Sequence, residues 1–192
     1  KKHNLGKSFT LLVVGGFIDF KRPQDTIKAF SILAKQKVDA RLVIVGIGPL
    51  MEECTHLIKE LGIEDKVILA GRVSDRELAV YYNACDAFIF AAEQTWGLVA
   101  IEAMACRKAV FVSDKAGVSE IIKEGKTGFV FESRNVEQLS KKIKMLIGNM
   151  ELYNSISKNA KSYALSNFSW QKYGRDMEKV FKKVLAESRK SY

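Results

Sequence analysis

Proline is scarce in this 192-residue chain, with Pro23 and Pro49 the only two, and no run of serine, glutamine or acidic residues accompanies them. That leaves no linker or low-complexity segment, and no repeat at a fixed period divides the chain, so a single domain is expected. No apolar stretch approaches the roughly 20 residues that a membrane helix needs, and the opening "KKHNLGKSF" lacks the apolar centre of a signal peptide. A soluble protein, or an excised piece of one, is the expectation. The three cysteines, Cys54, Cys85 and Cys106, are odd in number, widely spaced and each set among aliphatic residues or on a helical pattern. Reduced core thiols suit that pattern better than disulfides or a metal site, and imply a cytoplasmic setting. Acidic residues are in deficit, 22 against 31 Lys and Arg, for a formal net charge of +9. Such an excess favours phosphates, nucleic acid or anionic lipid without choosing among them, and surface lysine kept for solubility explains it as well.

What the chain has is alternation. Short apolar runs, "FTLLVVGG", "ARLVIVG", "KVILAG", "AFIFAA", "AVFVS" and "GFVFE", are separated by helical patterns beginning at Pro23, in "PLMEECTHLIKEL", and near 75–84, 97–106, 117–124 and 135–147. This order predicts an α/β fold, a Rossmann-like doubly wound parallel sheet of about six strands with helices on both faces. Ligands of such sheets bind at the carboxyl ends of the strands, where helix N-termini offer N–H groups to anions. Gly15, Gly16, Gly46, Gly48 and Gly71 fall at that edge, each a candidate cradle or a plain turn. After residue 148 two C-terminal helices are predicted, near 150–165 and 169–188. In the last, Tyr173, Met177, Val180 and Val184 form a stripe expected to pack. Lys172, Arg175, Lys179 and Lys182 form a basic stripe beside it, either a solvated face or a contact with an anionic membrane or partner.

In "EQTWGLVAIEAMAC", residues 93–106, apolar residues surround Glu102 on every side of the predicted helix, so its carboxylate is expected to be buried. Burial of an unpaired carboxylate costs several kcal/mol, more than the modest gain from a helix dipole. Vicinal hydroxyls of a ligand, or a buried lysine or arginine, would satisfy it.

This stretch, with the following "AVFVSDKAGVSEIIKEGKTGFVF", resembles the donor-binding, C-terminal half of retaining glycosyltransferases of the GT-B fold, family 4, the glycosyl transferases group 1. The resemblance continues through "LLVVGGFIDFKRPQDTIKAF", "LVIVGIGPL", "LGIEDKVILAGRVSDRELAVYYNACDAFIF" and "FSWQKYGRDMEKVFKKVL", over nearly the whole chain. It implies an enzyme that transfers a hexosyl group from a nucleotide sugar, such as GDP-mannose or a UDP-hexose, to a glycan or lipid-linked acceptor, with no cofactor and no metal. Glu102 would bond the nucleotide ribose, and the N–H groups of Gly97, Leu98 and Val99 would hold the diphosphate. Lys21 would neutralise the leaving diphosphate. The segment Gly71, Arg72 and Val73 would face the nucleobase, and Thr95 and Trp96 belong to the same donor loop.

The chain departs from the family pattern at several places. The first signature glutamate falls on Gln94, with Glu93 one residue early, so either takes the sugar hydroxyls. The common arginine of the first loop is Gly16, leaving Lys21 and Arg22 for the phosphate contact. Arg107, Ala109 and Ala116 replace an expected glycine, proline and glycine. The resemblance also implies an N-terminal acceptor domain, in cis or as a separate chain, without which this chain is expected to be inactive or nearly so. His3 and His56 are poorly placed for acid–base work, and no carboxylate pair suits a glycosidase. A non-catalytic nucleotide-binding module of the same fold is the alternative. A nucleic-acid-binding domain has only the net charge in its favour.

Overall fold

A computed structural model describes residues 8–93 and 96–188. His3, Gln94 and Thr95 lie outside the described residues. Six parallel strands, β1 (Phe9–Val14), β2 (Ala40–Val45), β3 (Val67–Gly71), β4 (Ala87–Phe90), β5 (Ala109–Ser113) and β6 (Phe129–Phe131), form one sheet in the order β3-β2-β1-β4-β5-β6. Each coincides with a predicted apolar run. The strands are apolar at consecutive positions because both faces are covered, and alternate residues serve opposite faces. Leu11, Leu42, Ile44, Ile89, Phe111 and Phe129 point into one layer; Leu12, Val43, Val45, Phe88, Phe90, Val110 and Val112 point into the other.

The first layer is closed by α1 (Pro23–Lys35), α2 (Met51–Glu60) and α5 (Val136–Ile147), which bury Ile27, Phe30, Leu33, Cys54, Ile58, Leu139 and Ile143. The second is closed by α3 (Asp75–Ala84) and α4 (Leu98–Ala105), which bury Tyr82, Ala100, Ile101, Ala103 and Met104. Helix α6 (Met150–Asn167) crosses between them, placing Ile156 in the first layer and Ala160 and Ala164 in the second. Sequence signals set the helix starts: Pro23 in the first turn of α1, a Ser74–Glu77 capping box on α3, and the side chains of Asn135 and Asn149 accepting from Gln138 N–H and Leu152 N–H.

Two expectations are corrected here. Residues 117–124 do not form an α-helix; Gly117–Ile121 is a single 3-10 turn. The Trp96 carbonyl pins its start by accepting from Val118 N–H at 2.7 Å, and Ile122 is already extended toward β6, leaving no length for a second turn. The apolar stripe of α7 (Trp170–Ser188) is mostly uncovered: Tyr173, Val180 and Val184 are exposed, and Met177 is half-buried. Both sheet faces are already filled by the preceding helices, so no covered place remains for it. The basic stripe is half neutralised within the helix: Lys172 and Lys179 share Asp176 and Lys182 meets Glu178, two carboxylates against these three lysines and Arg175.

All three cysteines are free, and burial pushes the Cys54 thiol up to about 11 and the Cys85 thiol up to about 12. Neither is a nucleophile at neutral pH. Among the described residues no helix is long and apolar enough to cross a membrane.

Candidate functional site at the carboxyl edge of the sheet

The chain builds outward from β1 in one direction to β3, then crosses back to lay β4 on the other side of β1. That reversal opens a crevice beyond the ends of β1 and β4, the place where open α/β sheets bind ligands. Gly15, Gly16, Lys21, Phe90, Ala91 and Ala92 line it.

The glycines of this edge divide into two kinds. Gly46, at φ +141°, and Gly48 are required by packing: a Cβ on Gly46 would sit 1.9 Å from the Gly15 carbonyl oxygen, and one on Gly48 2.5 Å from that of Phe17. The two loops lie against each other through Gly15 N–H to Val45 O and Phe17 N–H to Ile47 O, at 3.0 and 3.1 Å. Gly15 and Gly16 have ordinary room, leaving space on the crevice side. Gly71, in a left-handed conformation at φ +68°, ends β3 and accepts from Gly46 N–H at 2.9 Å.

Lys21 closes a 3-10 turn, Asp19–Lys21. Its ammonium stands 5.0 Å from the Phe90 ring centroid and 5.5 Å from that of Phe20, and no described carboxylate pairs with it. Burial holds its pKa below the usual lysine value. A half-buried cation against aromatic faces gains from any anion brought beside it. Arg22, by contrast, is already engaged. It adopts a left-handed conformation at φ 52° and forks onto Asp25, with Nε 2.8 Å from Oδ2 and Nη2 3.3 Å from Oδ1. It thereby braces the turn that presents Lys21.

Helix α4 begins beyond Gly97, whose φ of +95° no side chain would tolerate here: a Cβ would meet Phe90 Cε1 at 2.6 Å and Val118 Cγ1 at 2.9 Å. No described side chain caps this helix start. The first-turn N–H groups of Leu98 and Val99 have no partner within the helix. Trp96 lies over Gly117, and its side chain remains exposed.

Glu102 is not buried, contrary to the expectation. It is exposed, and so is Leu98 one turn earlier at 65%. The two share the single open side of α4, while Ala100, Ile101, Ala103 and Met104 fill the core. No described lysine or arginine pairs with the carboxylate. Instead the Tyr82 hydroxyl donates to Glu102 Oε2 at 2.8 Å. Tyr82 belongs to α3, the helix entered through Gly71, the exposed Arg72, and Val73, which packs into the second layer. This hydrogen bond ties the last turn of α3 to α4.

Glu93 has its backbone N–H on Phe20 O at 2.7 Å, placing it beside the Lys21 turn. Its carboxylate accepts from Ser133 Oγ at 2.6 Å and from Arg134 Nε and Nη2 at 3.0 and 3.3 Å. The Arg134 guanidinium and the Ser133 hydroxyl hold its pKa down at about 2. Tyr82, Ser133 and Arg134 were not singled out from sequence. The position of Ser133 and Arg134 just after β6 was a usable signal, since every loop following a strand of a parallel sheet opens on this edge. Among the described residues no group of three or more His, Cys, Asp or Glu is arranged to hold a metal ion.

A family model for glycosyl transferases group 1 matches residues 1–163, and the chain belongs to that family. It is 29% identical over 193 residues to the N-acetyl-alpha-D-glucosaminyl L-malate synthase of Bacillus anthracis, covering 98% of this chain and 49% of that protein. The chain spans about half the length of the curated relatives it matches. Its fold is that of the C-terminal domain of a group 1 glycosyl transferase, LpcC, from Francisella tularensis, with a TM-score of 0.79, 24% identity, and 84% and 87% of the two chains covered. It also matches Anabaena HepE, solved in complex with UDP, at a TM-score of 0.86 and 21% identity, over 94% of this chain and 50% of that one.

Proposed function

We propose that this chain is the donor-binding half of a retaining glycosyltransferase, holding a nucleoside diphosphate sugar such as GDP-mannose or a UDP-hexose at the carboxyl edge of the sheet. The observation that carries the reading is the Phe90 ring shared by Lys21 and Gly97, with its centroid 5.0 Å from the ammonium and Cε1 2.6 Å from where a Gly97 Cβ would lie, so that three complementary features follow one another along this edge and α4. They are the half-buried Lys21 ammonium with no described acidic partner, the uncapped start of α4 at Gly97, and the exposed carboxylate of Glu102. A diphosphate answers the first two and ribose hydroxyls the third. That HepE, which shares the fold, binds UDP supports the same assignment.

In this reading Leu98 and Val99 N–H groups hold the diphosphate, and Lys21 stabilises the charge that grows on it as the glycosidic bond breaks. Arg22 holds the Lys21 turn in place. Gly71, Arg72 and Val73 face the nucleobase, and Glu93 or Gln94, with Thr95 and Trp96, borders the sugar. Transfer proceeds with retention and without a metal. The acceptor is held by an N-terminal domain, in cis or on a separate chain, and the exposed apolar side of α7 meets that domain. A cytoplasmic location with peripheral contact to an anionic membrane belongs to the same proposal; nucleic acid does not. Holding donor and acceptor together supplies about 7 to 11 kcal/mol of a transfer barrier, so this chain by itself is expected to catalyse at most slow donor hydrolysis.

A non-catalytic nucleotide-binding module is the second reading, favoured by the closure of Glu93 onto Ser133 and Arg134. Thermal unfolding in millimolar UDP, GDP or a short oligonucleotide, each with a chelator present, tests both. A ligand held only by the folded state raises stability, by about 2.7 kcal/mol at a hundred times its Kd. Stabilisation by a nucleoside diphosphate in chelator, and none by the oligonucleotide, is expected. Unchanged melting in both nucleotides overturns the proposal. Sugar transfer after an acceptor domain is supplied separates the enzyme from the module.

A further inference from the structure

The Tyr82 side chain is 4% exposed, and its ring packs against Phe88 with centroids 6.0 Å apart. The hydroxyl reaches out of this packing to two acceptors on α4, Glu102 Oε2 at 2.8 Å and the Val99 carbonyl at 3.2 Å. A phenol has one proton to give, and the shorter contact, to a charged oxygen, takes it. Glu102 itself is exposed, and on a helix surface its side chain would otherwise sample several rotamers. A buried donor fixed by its ring removes that freedom at one oxygen of an exposed side chain, and no described donor meets the other.

We propose that Tyr82 is the positioning residue for Glu102: by holding Oε2 it presets Oε1 to accept from the ribose hydroxyls of a bound nucleoside diphosphate. This rests on the donor-binding reading above. Preorganisation of this kind raises affinity by lowering the ordering cost of binding, and it acts on the part of the ligand that the ordered group touches. Burial and the neighbouring Glu102 carboxylate push the phenol's pKa well above its usual value, so the hydroxyl remains a donor across the working pH range.

The test compares UDP with 2′,3′-dideoxy-UDP by calorimetry on the wild type, on Tyr82→Phe, which keeps the packed ring, and on Glu102→Asp, which withdraws the carboxylate from Tyr82. The wild type should prefer UDP by about tenfold or more, as a hydrogen bond to a charged group warrants. In Tyr82→Phe that preference should shrink by about fivefold while affinity for the dideoxy compound stays within about twofold, and Glu102→Asp should lose preference in the same selective way. An undiminished preference in Tyr82→Phe overturns the positioning role alone, and an undiminished preference in Glu102→Asp overturns the ribose role of Glu102 and with it the positioning role, whether or not Tyr82→Phe folds. An equal fall for both ligands in Tyr82→Phe also overturns it, by showing a structural effect. A wild type that binds both ligands equally removes the ribose role of Glu102 and with it that of Tyr82. A wild type that binds GDP rather than UDP moves the same comparison to GDP and 2′,3′-dideoxy-GDP, and one that binds none of the four overturns the donor-binding reading itself.

Discussion

Glu93, on the loop after β4, meets a guanidinium fork and a hydroxyl from Arg134 and Ser133, and its side chain is only 16% exposed. Glu102, on the open side of α4, meets one phenolic hydroxyl and is otherwise turned to solvent. Both carboxylates come from one short stretch of chain, on either side of the left-handed Gly97. The first has its lone pairs spoken for and ties the loop to the start of α5. The second is held at one oxygen and free at the other, which suits a ligand. Carboxylates in one motif are thus told apart by what already donates to them: the saturated one anchors, and the half-satisfied one recognises.

The largest test of this contrast acts on the residue between them. Gly97→Ala should lower stability by about 2 to 4 kcal/mol, because a β-carbon meets Phe90 and Val118 and the positive φ is penalised as well. Urea denaturation measures this, and a loss below 1 kcal/mol would show that the α4 start is less constrained than described.

Glu102→Ala sharpens the contrast from the recognising side. Stability should change by less than about 1 kcal/mol, since the side chain is exposed and the buried Tyr82 hydroxyl keeps the Val99 carbonyl as an acceptor. UDP affinity should fall by about 1.5 to 3 kcal/mol, measured by calorimetry. Unfolding with affinity retained would make Glu102 structural.

Glu93→Gln sharpens it from the anchoring side and should have the smallest effect on UDP binding, within about threefold, because the nucleotide portion does not depend on an ion pair at the loop. Its signature is in pH. A carboxyl whose pKa is lowered on folding contributes stability that is fully present above its unfolded value, 4.5, and is lost as pH falls toward about 2. The difference in Tm between wild type and Glu93→Gln should therefore be constant from neutral pH to about 5 and shrink steadily below it. A difference independent of pH would show that the Arg134 pair does not act through charge.

The six strands were legible because a sheet covered on both faces needs apolar residues at every position, and such runs stand out, as in "AFIF" and "AVFVS". The environment of Glu102 was not legible. Leu98 looks like a core residue in the helical pattern, but it lies on the open side, so the apparently closed ring of apolar residues around Glu102 has a gap. Apolar side chains that border a ligand edge carry the same signature as those that fill a core. The α7 stripe misled in the same way: its periodicity marks a surface suited to burial without saying whether this chain supplies the cover. The pairing of Glu93 with Arg134 spans 41 residues and follows from the common edge of the β4 and β6 loops, which topology supplies and local pattern does not.

Backbone amide resonances of the labelled chain, followed during a UDP titration in the presence of a chelator, test the central claim most directly. The account predicts saturable shifts at Lys21, Leu98, Val99 and Glu102, with the amides of α7 unmoved. No saturable shift at those four residues with UDP or, in a parallel titration, with GDP, or shifts confined to the basic side of α7, would contradict a nucleotide site at the carboxyl edge.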